Sequence, residues 1–88
     1  MNITFHPNFK KIYKKRFIGN TKLINIFNER TSLFIDDMTS PTLHNHHLTG
    51  SMRDFWSFSI TGDIRVIYKI ISETEVQFFD IGSHNQDY

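Results

Sequence analysis

Histidine is the side chain that gives and takes protons near neutrality, with an unperturbed pKa of about 6.5, and this chain carries five of them. Four, His44, His46, His47 and His84, fall in two stretches that flank a run of alternating apolar and polar residues. Within that run stands Arg65, whose planar guanidinium matches a phosphate and can hold the charge that develops on it. Together with Asp63 and Tyr88 this set suits one reaction, the internal cleavage of RNA. There a base takes the proton of a 2′-OH, an acid protonates the leaving 5′-oxygen, and a cation steadies the crowded phosphate. No metal or cofactor is required.

The same residues admit plainer readings. The run His44-Asn45-His46-His47 also reads as a solvated loop, or, joined by Asp63 or His84, as a zinc-binding set, although its spacing matches no common zinc signature. Arg65 also suits a cross-strand pair with Asp54 or Asp80. Asp63 suits a hairpin turn, and Tyr88 suits simple packing.

The elements that must position these groups follow from periodicity. Trp56, Phe58 and Ile60 alternate with Ser57, Ser59 and Thr61, and Ile64, Val66, Tyr68 and Ile70 alternate with polar or outward residues, which predicts two strands. Gly62-Asp63 forms the hairpin turn between them, and a third strand, Val76 to Ile81, follows the polar Ser72 to Glu75. Over residues 52–81 this is an antiparallel meander, with Trp56, Phe58, Val66 and Tyr68 expected to face the helices. It brings Arg65 and the residues just past Ile81 to one rim, so His84 and Arg65 are expected within one phosphate's reach of each other.

Upstream, residues 2–5 are expected as a strand closed by Pro7. Phe9, Ile12, Tyr13 and Phe17 then recur at helical spacing, and after Gly19-Asn20 so do Leu23, Ile26, Phe27, Arg30, Leu33 and Phe34. The short break predicts an antiparallel pair of helices. Residues 38–51, interrupted by Pro41 and Gly50, read as a long exposed connection. The fold class is α+β, two N-terminal helices packed on a twisted antiparallel sheet in the order β-α-α-β-β-β, and residues 1–88 form a single domain.

A chain of 88 residues buries only about 60–65% of its unfolded surface, so its layers must pack well, and nine phenylalanines, three tyrosines and one tryptophan supply the core. With no cysteine there is no disulfide frame and no thiolate metal site. No membrane-spanning run and no signal-peptide pattern is present, which leads to the expectation of a cytoplasmic protein with no membrane partner. The net charge is only +1, but Lys10, Lys11, Lys14, Lys15 and Arg16 crowd one segment, so a basic face coexists with a nearly neutral total. A merely solvated helix face is the plainer account of those lysines.

The succession His46-His47-Leu48-Thr49-Gly50, Phe55-Trp56-Ser57-Phe58, Asp63-Ile64-Arg65-Val66-Ile67-Tyr68, Ile81-Gly82-Ser83-His84 and Tyr88 resembles the RelE/YafQ-like toxins of bacterial toxin–antitoxin pairs. Those carry H-x-L-x-G, W-S-F, D-x-R-V-I-Y and I-G-x-H-x-x-x-Y in this order. The match spans residues 46–88, and upstream only the order of strand and helices agrees.

The resemblance implies a RelE-like fold and an endoribonuclease that cuts mRNA, in most members within the ribosome, neutralised by a cognate antitoxin in a hetero-oligomer. It makes His84 the acid/base candidate, Arg65 the phosphate clamp, His46 and Asp63 partners in proton transfer, and Tyr88 the residue that stacks on the nucleotide. Lys10, Lys11, Lys14 and Lys15 are then expected to meet ribosomal RNA. The YafQ pattern has a further histidine where this chain has Ser59 and an arginine where it has Asp80, and Arg65 is expected to take over that arginine's role. A weakly catalytic or non-catalytic binding module of the same fold, acting with its antitoxin, is the alternative, and a metal-binding domain built on the histidine loop is a further one.

Overall fold

The structure, a computed structural model, describes residues 1–83. The chain runs as strand β1 (Asn2–Phe5), helix α1 (Pro7–Phe17), helix α2 (Thr21–Asp36), strand β2 (His46–His47) between two single 3-10 turns, and strands β3 (Trp56–Ser59), β4 (Ile64–Ser72) and β5 (Glu75–Ser83). Each helix begins on a side-chain cap. His6 Nδ1 accepts from the Asn8 N–H at 3.0 Å with Pro7 in the first helical turn, and Asn20 Oδ1 accepts from the Leu23 N–H at 3.0 Å. These contacts satisfy amide groups that a helix start leaves without partners. Between the helices Gly19 adopts φ +88, a conformation a side chain would resist.

The expected meander is present, and the sheet is larger than the alternation alone predicted. Its order is β1-β5-β4-β3-β2, with β3, β4 and β5 antiparallel in sequence. The expectation of an all-antiparallel sheet is corrected at one edge, where β1 pairs in parallel with β5, Asn2 opposite Glu75 through Phe5 opposite Phe78. At the other edge β2 pairs His46 with Ser57 and His47 with Trp56. Residues 38–51 are therefore not simply an exposed connection: they supply this edge strand and bury Leu43 and Leu48. The strand expected to run to Thr61 ends at Ser59, where the turn takes over.

Cross-strand register decides which side chains share a face. Trp56 lies opposite Tyr68 and Phe58 opposite Val66, and Phe58, Val66 and Tyr68 are fully buried while Trp56 packs at the margin of the same core. Phe34 of α2 stacks on Phe58 at 4.5 Å between ring centroids and meets Tyr68 edge-on at 4.9 Å. Phe27 sits against Tyr13 and Phe17 of α1 at 5.2 and 5.5 Å, and Phe78 of β5 touches Phe9, Phe34 and Phe58. Offset and edge-to-face aromatic pairs add about 0.5–1.5 kcal/mol each beyond their buried area, a useful gain for so small a domain. No helix among the described residues is long and apolar enough to cross a membrane.

Candidate active site at the sheet rim

The site is built where the β3–β4 turn, the end of β2 and the middle of α2 meet. Register places Arg65 of β4 between Ser59 of β3 and Gly82 of β5. The turn before Arg65 is organised by Thr61, whose Oγ1 accepts from the Asp63 and Ile64 N–H groups at 3.1 and 3.0 Å. Asp63 stands exposed on that turn, beside the cleft rather than in its wall.

The histidine loop is tied to the core by a polar relay. Tyr68 donates its hydroxyl proton to Asn45 Oδ1 at 2.8 Å, and Asn45 Nδ2 donates to the Met38 carbonyl at 3.2 Å. Burial pushes the Tyr68 phenol up to about 12, against a smaller opposing effect of the Asn45 bond, so it stays a proton donor throughout the physiological range. Asn45 is thereby fixed between His44 and His46. His44 takes a left-handed backbone conformation, φ 47, which reverses the chain and points its carbonyl at the next histidine.

That carbonyl meets His46 Nδ1 at 2.8 Å. A carbonyl oxygen only accepts, so Nδ1 carries the proton, and in the neutral ring Nε2 is left with a lone pair able to take one. His47 is engaged otherwise. Its Nε2 donates to the Arg53 carbonyl and its ring stacks on Trp56 at 4.8 Å. His6, the remaining histidine of the described residues, caps α1.

The result is a cleft of about 380 Å³ whose wall includes His44, His46, Ser59, Thr61 and Arg65. Of the site residues expected from the sequence, Arg65 and His46 come together here and Asp63 borders them. His84 and Tyr88 lie outside the described residues. Among the lining residues that sequence reasoning did not assign to a site are Thr42 and, from α2, Arg30. The signal for Arg30 was its place in the apolar repeat of α2, a cation at a core-facing spacing. Arg30 pairs with Glu29 at 3.3 Å, and its side chain is 29% exposed against 72% for that glutamate. No group of three metal-ligating side chains converges among the described residues.

The lysines of α1, Lys10, Lys11, Lys14 and Lys15, are all exposed. Lys11 and Lys15 point away from the buried Phe9 and Phe17, and Lys10 and Lys14 flank that buried stripe. Lys10 also borders a second hollow of about 370 Å³ walled by Phe5, Phe9, Tyr13 and Phe27.

Solved structures with this architecture include a copper-bound mutant toxin from Helicobacter pylori, with a TM-score of 0.79 and 19% identity over 100% of this chain and 99% of that one. A YoeB–YefM complex from Staphylococcus aureus follows with a TM-score of 0.75 and 20% identity, covering 96% of this chain and 97% of that one. An Escherichia coli DinJ–YafQ complex gives a TM-score of 0.68 at 20% identity, with 94% and 92% covered. At such identities these likenesses establish the fold. Comparison with curated protein sequences gives no significant match. The family assignment rests on the sequence itself: residues 1–86 match the model of the bacterial toxin of type II toxin–antitoxin systems, YafQ, and the chain belongs to that family.

Proposed function

We propose that the chain is an endoribonuclease toxin that cleaves mRNA on the ribosome and is held inactive by a cognate antitoxin. The observation that supports this most is the meeting of Arg65 and His46 in one cleft at the sheet rim, with the Nδ1 of His46 already committed to a carbonyl. In this reading Arg65 holds a non-bridging oxygen of the scissile phosphate. One imidazole takes the proton of the 2′-OH, the 2′-oxygen attacks phosphorus, and the bond to the 5′-oxygen breaks. A second group, acting as acid, protonates that oxygen, leaving a 2′,3′-cyclic phosphate and a 5′-hydroxyl. The pair of proton-transfer groups is His46 and His84, the latter two residues beyond the cross-strand partner of Arg65. Asp63 orients the exchange and Tyr88 stacks on a base. The exposed lysines of α1 meet ribosomal RNA, whose phosphates dominate such affinity.

The test is expression in the cytoplasm without antitoxin of the wild type and of His84→Gln, His46→Gln and Arg65→Ala, with message ends mapped and antitoxin binding used as the folding control. Each variant is expected to lose cleavage on the order of a hundredfold or more while still binding antitoxin. A 2′-deoxy nucleotide at the cut position is expected to block the reaction. Undiminished cleavage in all three variants overturns the assignment of the site.

A further inference from the structure

The cleft that receives Arg65 from the sheet receives a second guanidinium from the helical layer, that of Arg30. Besides the two arginines, the residues that line it include His44, His46, Thr42, Ser59 and Thr61, and none of the described residues that line it is acidic. Such a wall favours an anion, because guanidinium groups bind phosphate by two parallel N–H···O bonds. At about 380 Å³ the cleft is too large for one phosphate and falls in the range, about 300–1,000 Å³, of pockets that take a whole small molecule.

We propose, resting on the nuclease reading of this same cleft, that Arg30 is a second phosphate-binding residue: it holds the backbone phosphate next to the one held by Arg65, and an RNA strand is seated by both. The position of Arg30 on α2 supports this. It falls in register with Leu23, Phe27 and Phe34, which pack in or against the core, so the helix directs it toward the sheet, and its side chain is more buried than that of the adjacent Glu29. The Glu29 contact does not retain it, since an ion pair with a solvent-exposed glutamate is weak and screened by salt and yields to a bidentate phosphate. Arg30 thus positions the strand, and Arg65 and the imidazoles act on the scissile group.

The test uses the purified protein in a reconstituted translation reaction, following single-turnover cleavage of one message against protein concentration, together with binding of a short single-stranded RNA across a salt series. Arg30→Gln is expected to raise the half-saturating concentration about tenfold, with a much smaller change in the maximal rate, and to lower the salt slope of RNA binding by about 0.7, the value for one phosphate contact on a single strand. Arg30→Lys keeps the charge and loses the fork, and is expected to fall between. Glu29→Gln controls for the ion pair: if it reproduces the Arg30→Gln defect, or if Arg30→Gln leaves both the half-saturation and the slope unchanged, the proposal is overturned. The underlying reading fails in a different way, by absent wild-type cleavage or by equal cleavage of a message carrying a 2′-deoxy nucleotide at the cut. Even then a lowered salt slope for Arg30→Gln upholds the phosphate contact.

Discussion

The hydroxyl of Tyr68 reaches Asn45 Oδ1 at 2.8 Å across 23 positions of sequence, joining a fully buried sheet residue to the loop that carries two of the cleft histidines. Tyr68→Phe removes that single bond and little volume. It is expected to cost about 1 kcal/mol, the usual net worth of a hydrogen bond, with more if Asn45 is left unsatisfied. Denaturant unfolding measures that cost. Amide exchange should show residues 44–47 opening more readily while α1 and α2 hold their protection, and equal protection in the loop would show that the relay does not tether it.

The same phenol sets a limit in alkali. Its folded pKa of about 12 lies above the ordinary value of 10.0, so the unfolded chain loses this proton first. The stabilisation is therefore complete below pH 10 and is lost as pH rises toward 12. Linkage puts it at about 2–3 kcal/mol in all, and screening by solvent takes little from that because no surface of Tyr68 is exposed. Unfolding followed from pH 8 to 12 should show this decline in the wild type and a shallower one in Tyr68→Phe.

Phe34 stacks on Phe58 and abuts Tyr68 and Phe78 with no exposure of its own. Phe34→Ala is expected to cost about 3–5 kcal/mol through lost burial and the cavity left behind, which for a small domain is a large part of its stability. Thermal unfolding reads this directly. Any loss of toxicity in this variant should come with loss of antitoxin binding, unlike the cleft variants.

Replacing Lys10, Lys11, Lys14 and Lys15 together by glutamine tests the basic helix. All four side chains are exposed and α1 keeps its buried Phe9 and Phe17, so the melting temperature should hardly move. Ribosome binding is expected to weaken and its dependence on salt to flatten. Unchanged binding through a salt series would mark the lysines as a solvated face.

How far the sequence foretold this molecule depends on the range of each signal. The alternation at Trp56 to Ser59 and Ile64 to Ser72 and the helical spacing around Phe9 and Phe27 are local, and the elements stand where those patterns placed them. The pairing of His46 and His47 with β3 was not legible, because a two-residue polar strand has no period to detect. The parallel docking of β1 was equally hidden, since its partner in β5 is set by the crossover through both helices. Arg65 and His46 were singled out by residue type and motif, and both line the cleft. Arg30 was passed over because its neighbours in the α2 repeat are apolar, and only the packed helix shows that this position opens into the cleft.

The docking of β1 on β5 also bears on when the fold can close during synthesis. Among the described residues β1 finds its sheet neighbour only at residues 75–78, and that neighbour also supplies Phe78 to the centre of the core. Pairing of such distant segments is slow, because the chain must close a long loop before any contact rewards it. A chain halted before residue 75 lacks β5, the strand that lies between β1 and β4 and completes the rim beside Arg65. On the nuclease reading, a chain cut short before residue 75 is therefore expected to cleave no message, because the strand that closes both the core and the rim is absent.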